Sequence, residues 1–488
     1  MKPPPNSLTS EHDRRWLILG VLSLAQLMVV LDATVVNIAL PSAQQALHFS
    51  DSSRQWVVTA YTLGFGSLLL LGGRLSDLFG RKRTLITGLA GFAIASAVGG
   101  AAQSFTPLIA ARAVQGIFAA LLAPAALSLL TTAFTDPRER GKAFGIFGAV
   151  AGTGGAIGLL LGGFLTEYLS WRWCLYVNLV IAAVAGTGAL LLLSKHTRSA
   201  TARLDIPGTL TGSAGLFALV YGFSEADRNG WGASSTLGFL AAGVALLAVF
   251  VAIQRGVAHP LLPLRIVAHR NRGGSYLAML IAAVGMFGTF LFLTYYLQLT
   301  LDYSPVRSGL AYLPMIGVLI ATSTGASTVL LPRVGPRPLV LTGMLAGAAG
   351  LAVLAQLGVH STYAGHVLPG LLLMGVGLGL IFAPALNTAT LGVAPGDAGV
   401  ASATVNTAQQ VGGSLGTALL NTVATTATTS FLAGRAASPG VVAEATVHGY
   451  TSAFWWAAAI FAAGAVICGV LFLPGAPQLE PAVELAPA

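Results

Sequence analysis

Fourteen long, continuously apolar runs, separated by short polar breaks, leave this chain few ways to fold. They lie near residues 16–41, 54–74, 84–103, 107–130, 142–166, 173–194, 206–224, 235–254, 274–298, 307–331, 338–357, 365–388, 399–424 and 450–473. A membrane-crossing helix needs about 20 apolar residues, whereas a tilted strand needs about half that and alternates in polarity. The runs therefore predict an all-α polytopic membrane protein and exclude a strand barrel. Only 8% of the 488 residues are charged and mean hydropathy is +0.79, which rules out a soluble enzyme, a disordered chain and a disulfide scaffold. The first run is too long for the apolar core of a signal peptide, so no cleavage is expected.

The positive charges test this count. With the N-terminus inside and the spans alternating, the inner segments hold Lys2, Arg14 and Arg15, then Arg74, Arg81, Lys82 and Arg83, then Arg138, Arg140 and Lys142. They continue with Lys195, Arg198 and Arg203, then Arg255, Arg265, Arg270 and Arg272, and finally Arg333 and Arg337, nineteen in all. The outer segments hold five: Arg54, Arg172, Arg228, Arg307 and Arg435. Excess Lys and Arg on the cytoplasmic side is the rule for membrane proteins. The net charge of +9 thus reads as topology and not as nucleic-acid binding. Both termini are expected in the cytoplasm, with segments 1–15 and 474–488 outside the bilayer and the Ser/Thr/Ala-rich stretches 195–205 and 425–449 as loops. Rich Ala and Gly usage fits a GC-rich bacterial genome, hence the bacterial inner membrane.

The chain also repeats itself. Gly80–Gly88 matches Gly335–Gly343, Leu122–Ala125 matches Phe382–Ala385, and Gly154–Gly158 matches Gly412–Gly416, at offsets of 255, 260 and 258. Two six-helix bundles, 16–194 and 255–473, with two linker helices between them at 195–254, would give that spacing. Duplicated bundles facing one another across a midplane site are a transporter architecture.

Two charged residues stand inside spans. Asp32 is the one carboxylate placed deep in a run, where insertion costs about 2.5–3.5 kcal/mol. Desolvation disfavours the charged form of any carboxyl group, which equips such a residue to take a proton from one side and release it to the other. The alternative is an Asp that only locks helix packing. Arg112 lies about 7 Å below the outer end of its span and Asp32 about 13 Å below the end of its own, at a rise of about 1.5 Å per residue. Their long side chains are therefore expected to meet, directly or through water, although a snorkelling Arg112 is the plainer alternative.

Four stretches carry a family resemblance. They are Leu31-Asp32-Ala-Thr-Val-Val-Asn37-Ile-Ala-Leu-Pro41, Gly73-Arg-Leu-Ser-Asp77-Leu-Phe-Gly80-Arg81-Lys82-Arg83, Arg112-Ala-Val-Gln115-Gly116, and the glycine run through Gly154, Gly158, Gly162 and Gly163. Together they resemble the major facilitator superfamily, in particular its fourteen-span drug/proton antiporter branch, over nearly the whole chain. The resemblance implies proton coupling through Asp32 and Arg112. It also implies a conformational latch at Gly73, Asp77, Gly80, Arg81 and Arg83. The glycines four apart let helix backbones touch, and their run resembles the fifth-helix signature of antiporters. The chain departs from that signature at Leu159, which stands where the signature has a proline.

The expected function is proton-coupled export of amphipathic organic compounds by alternating access. Gln26, Asn37, Tyr61, Gln115, Phe290, Tyr295, Tyr296, Gln298, Asn387 and Asn406 are the candidate cavity residues, since sparse polar groups among aromatics suit such substrates. A dedicated exporter of one endogenous metabolite or antibiotic is a second reading. A membrane enzyme or sensor is a third, but no paired carboxylates or His/Asp cluster near a boundary speaks for it. The sequence holds no P-loop and no metal-ligand spacing, so no cofactor or metal is expected. The expected partners are protons, a small-molecule substrate and the lipid bilayer, and the expected state is a monomer.

Overall fold

The computed structural model describes residues 6–49, 51–194, 204–394, 397–436 and 438–475. The first five residues, most of the 195–205 stretch with Lys195, Arg198 and Arg203, and nearly all of the expected tail lie outside it. Among the described residues there is no strand. The helices are α1 (Asn6–Leu47), α2 (Asp51–Phe79), α3 (Arg81–Gly100), α4 (Phe105–Ala133), α5 (Pro137–Tyr168), α6 (Trp173–Leu192), α7 (Ile206–Asn229) and α8 (Ser234–Gly256). They continue with α9 (Leu264–Ala268), α10 (Arg270–Tyr295), α11 (Pro305–Ala311), α12 (Leu313–Gly325), α13 (Leu331–Val334), α14 (Pro336–Leu354), α15 (Leu368–Thr390), α16 (Ala398–Leu432) and α17 (Pro439–Leu471). One-turn π segments extend α10 at Tyr296–Thr300, join α12 to α13 at Ala326–Leu330 and lead into α15 at Tyr363–Val367.

Every expected run is helical, with α11 to α13 together filling the tenth. Among the described residues twelve helices are long and apolar enough to cross a membrane, and α5, bent by 43°, makes a thirteenth if it counts as one span. The one expected run left over is the thirteenth, held by α16 (Ala398–Leu432), which is long enough but more polar than the others. Its threonines turn their hydroxyls onto carbonyls one turn back, as in Thr404 to Val400 O at 2.9 Å and Thr422 to Ala418 O at 2.9 Å. It is also enclosed by protein, packing on α2, α4, α7, α10 and α17. The loop expected over 425–449 is a correction: residues up to Leu432 continue α16, and α17 starts at Pro439. The same back-bonding explains the error, since Thr428 and Thr446 satisfy their hydroxyls on Ala424 O and Val442 O, which makes a Thr-rich stretch compatible with a helix.

The repeated segments occupy equivalent places. Gly80 (φ 92°) turns the chain from α2 into α3, and Gly335 (φ 78°) turns it from α13 into α14, a left-handed geometry that glycine alone enters freely. Pro124 and Pro384 both lie inside their helices, α4 and α15. The glycines of α5 meet α1, where added methyl carbons at Gly158 and Gly162 would lie 3.1 Å from Leu31 O and Val35 O. Those of α16 meet α10 likewise, at Leu280 O for Gly412 and Val284 O for Gly416. Between the two sets, α7 and α8 pair as a hairpin. Its α7 leans on α2 through Thr59 and Ser224 (3.2 Å), and the turn between α7 and α8 reaches α16 through Trp231 and Thr422 (2.9 Å).

Helices from the two sets also meet at the end that carries the basic loops. Asp77 at the end of α2 accepts the backbone N–H of Gly399 in the first turn of α16 at 3.1 Å. Arg140 at the start of α5 reaches Asn387 and Thr390 at the end of α15, both at 2.8 Å. Ser323 of α12 donates to Gly145 O of α5 at 3.1 Å.

Candidate functional site

Five helices, α2 to α6, gather around Asp32 of α1. It lies mid-way along α1, where Gly158 and Gly162 let α5 close against the backbone on either side of it. From α4 comes Arg112, whose Nη1 donates to Asp32 Oδ2 at 2.5 Å and to Gln115 Oε1 at 2.9 Å, while its Nε donates to Val57 O of α2 at 3.2 Å. Gln115 stands three residues after Arg112 and so on the same helix face. Its Nε2 donates to Asp32 Oδ1 at 3.2 Å and to Ser96 Oγ of α3 at 2.5 Å. From α6 comes Asn178, whose Nδ2 donates to Asp32 Oδ1 at 2.8 Å and to Ser96 Oγ at 3.1 Å. The Tyr61 ring of α2 lies under the guanidinium, 4.5 Å from its carbon to the ring centroid.

Asp32, Arg112, Gln115, Asn178 and Ser96 are all 0% exposed. Taking two charges out of water costs several kcal/mol each, and their attraction repays this only when the geometry is close and the remaining polar atoms are served. Here a charge-assisted hydrogen bond from Arg112 serves Asp32 Oδ2, and the two neutral amides of Gln115 and Asn178 both serve Oδ1. The donor set is complete for an ionised Asp32, which can only accept. One polar atom is left over: Asn178 Oδ1 is buried without a partner. The cluster presents no activated nucleophile.

Of the expected cavity residues, Tyr61 and Gln115 belong to this cluster. The others are spread. Gln26 is buried in α1, while Asn37 is exposed and bonds back to Ala33 O at 3.3 Å. Phe290 of α10 packs at a tilt on Tyr312 and comes close enough to Gly155 of α5 that an added Cβ there would lie 3.2 Å from its ring. Tyr295 is exposed and Gln298 half-buried, whereas Tyr296 is buried with its hydroxyl donating to Gly358 O at 2.8 Å. Asn387 takes the hydrogen bond from Arg140, and Asn406 donates to Ser402 O at 3.0 Å within α16.

The expected latch residues cluster where α2 meets α16. Gly73 lies against Gly399, since an added methyl carbon would stand 2.6 Å from its carbonyl oxygen. Arg81 sits 3.8 Å from Asp77, and Arg83 is exposed. Gly154 meets Val30 of α1, and Gly163 is buried in α5. Sequence reasoning passed over Ser96, and it treated Arg140 only as a topological charge. It gave Asn178 of the sixth span no role.

The Major Facilitator Superfamily pattern matches residues 22–417. A puromycin resistance protein of Streptomyces alboniger is 54% identical over 461 residues, covering 94% of this chain and 91% of that protein. A cephamycin export protein of Amycolatopsis lactamdurans is 39% identical over 466 residues, covering 95% and 94%. Among solved structures, the proton:xylose symporter XylE superposes with a TM-score of 0.64 at 14% identity, over 94% of this chain and 95% of that one. Its likeness concerns the fold alone. A multi-pass bundle with duplicated segments and a charge cluster closed inside one half is thus found in a chain that belongs to the major facilitator superfamily, a membrane transporter and not an enzyme.

Proposed function

We propose that this transporter exports antibiotic-like organic compounds and that a proton carried by Asp32 drives the export. The observation that carries the reading is the fully buried Asp32–Arg112 ion pair on α1 and α4. An ionisable pair sealed inside a membrane bundle is costly, and such groups usually mark ion pathways. The export direction and the compound class rest on the relatives, which are named for resistance to puromycin and export of cephamycin. Puromycin is the first substrate to try.

In the cycle we infer, Asp32 gains a proton from the outer side and its pull on Arg112 weakens. The two six-helix halves, 16–194 and 255–473, then rock about the pair of helices between them. The contacts of Asp77 with Gly399 and of Arg140 with Asn387 must break before the inner side can admit substrate. Gly73, Gly80, Arg81 and Arg83 serve the same latch. Loss of the proton to the cytoplasm restores the ion pair. Each ligand has to bind the two states differently for the cycle to move anything. Gln26, Asn37 and Phe290, together with Asn406, are the cavity positions on helices that border the gap between the halves. The protein works as a monomer in the bacterial cell membrane, with both termini in the cytoplasm.

The test is puromycin accumulation in bacteria with and without the protein. Export should stop when a protonophore collapses the gradient, and Asp32→Asn should lose resistance while still reaching the membrane. Export that survives the protonophore rejects proton coupling, and full resistance in Asp32→Asn removes that residue from the mechanism. A narrower reading, an exporter dedicated to one antibiotic, is favoured because each of these relatives is named for a single compound. A panel of unrelated drugs separates the two readings.

A further inference from the structure

The partners around Asp32 suit only one of its two protonation states. As a carboxylate it accepts from Arg112 Nη1, Gln115 Nε2 and Asn178 Nδ2. A protonated Asp32 carries an O–H that has to find an acceptor, because an unpaired buried donor is costly. Arginine has no acceptor. Gln115 turns its N–H end to Asp32, and its carbonyl accepts from Arg112 at 2.9 Å. The Tyr61 hydroxyl is turned to Val29 O at 3.3 Å. Cys174 of α6, within electrostatic reach of Asp32, is turned to Gly162 O and Thr166. From α5 the neighbours are glycines. The acceptor that stands idle is Asn178 Oδ1, fully buried and without a partner, on the same amide whose other end already touches Asp32.

We propose that Asn178 is a positioning residue whose amide follows the proton: its N–H group holds charged Asp32, and after a half-turn its carbonyl holds neutral Asp32. The inference rests on the reading of Asp32 as the proton carrier. The incoming proton binds Asp32 Oδ1, and that O–H then donates to Asn178 Oδ1. Ser96 completes the exchange. Its oxygen now accepts from both Gln115 and Asn178. Once Asn178 has turned, the Ser96 hydroxyl rotates to donate to the same carbonyl while still accepting from Gln115. Asn178 leaves one end unpaired in either orientation, its carbonyl beside charged Asp32 and its N–H group after the turn, so the turn has to be driven by the new bond from protonated Asp32. The amide makes the polar cage two-state, an arrangement a hydrogen-bond network supports only when its members can reorient together.

Infrared difference spectra between neutral and acidic pH test this on the full-length protein in lipid vesicles. A carboxyl band that appears on acidification and is missing in Asp32→Asn reports the proton. Asparagine carrying carbon-13 at its side-chain carbonyl marks the amide bands, and Asn178→Ser removes the one belonging to this site. The expected result is that this amide carbonyl band moves to lower frequency as the carboxyl band grows, because an idle carbonyl gains two donors. Ser96→Ala should shrink that shift without abolishing it, which gives a second variant if Asn178→Ser does not fold. A carboxyl band with no moving asparagine band overturns the amide switch and leaves the proton reading standing. Absence of any Asp32 carboxyl band overturns both.

Discussion

Arg140 of α5 donates from Nε to Asn387 Oδ1 of α15 at 2.8 Å, across 247 positions of sequence. Its remaining contacts are Thr390 Oγ1 at 2.8 Å, Thr131 O at 3.3 Å and the Phe144 ring at 4.5 Å. A buried cation is thus held by neutral groups, two of them on the opposite set of helices. Hydrogen bonds to charged groups contribute about 1.5–3 kcal/mol each. Arg140→Ala should therefore weaken closure of the basic-loop end by about 3 kcal/mol, on the order of a hundredfold in the open-to-closed ratio. Ser327, buried where α5 passes, reports it. With Cys174 and Cys468 replaced by serine, Ser327→Cys should label much faster in the Arg140→Ala background. Equal rates would show that this contact does not hold the ends together.

The ion pair at the centre predicts a specific pattern of coupling. Removing one member leaves the other buried and uncompensated, which costs about 3–5 kcal/mol. Asp32→Asn and Arg112→Gln should each lower the thermal unfolding midpoint in detergent. The double variant should recover much of the loss, because two neutral side chains can share the Gln115 and Asn178 amides. Strictly additive losses would mean that the two residues do not act on one another.

Much of this arrangement was legible from composition because the bilayer punishes exceptions. Asp32 and Arg112 stand out in apolar runs, and the depth of each along its helix was enough to bring them together. Rotation about the helix axis was not legible, since nearly every face of α4 and α15 is apolar. Gln115 therefore could not be told from a cavity residue, although its spacing of three from Arg112 places it on the same side. Ser96 and Asn178 are single small polar residues in helices that pack tightly, and only the convergence of α1, α3, α4 and α6 gives them a partner. Arg140 was hidden by its own neighbours, for a basic residue beside Arg138 and Lys142 reads as topology alone. The α16 helix and the 425–449 stretch show the same limit from the other side. Their threonines look like loop residues until their hydroxyls are seen to bond one turn back.

Two glycines should behave oppositely. An alanine methyl at Gly158 of α5 would stand 1.9 Å from Thr34 Oγ1 and 3.1 Å from Leu31 O. Thr34 already spends that hydroxyl on Leu31 O at 3.0 Å, so turning it away breaks a bond beside Asp32. Overpacking of this kind costs about 1–3 kcal/mol. At Gly186 of α6 nothing lies within 4 Å of an added methyl, and alanine is the better helix former by about 1 kcal/mol. Gly158→Ala should lower both the unfolding midpoint and puromycin resistance, while Gly186→Ala should leave resistance intact and hold or raise the midpoint. A silent Gly158→Ala would show that α1 and α5 have slack at the level of Asp32.

Tyr61 offers a way to separate support of the ion pair from contact with substrate. Its hydroxyl makes a long bond to Val29 O at 3.3 Å, whereas its ring lies 4.5 Å beneath the Arg112 guanidinium. A desolvated cation over an aromatic face is stabilised by about 2 kcal/mol, so the ring matters more than the hydroxyl. Tyr61→Phe should keep the unfolding midpoint and the resistance close to the parent, because the face under Arg112 is retained. Tyr61→Leu should lose about 2 kcal/mol of stability and export every substrate less well by a similar factor. If Tyr61→Phe instead changes the order in which different drugs are exported, the hydroxyl touches substrate and Tyr61 faces the cavity during part of the cycle.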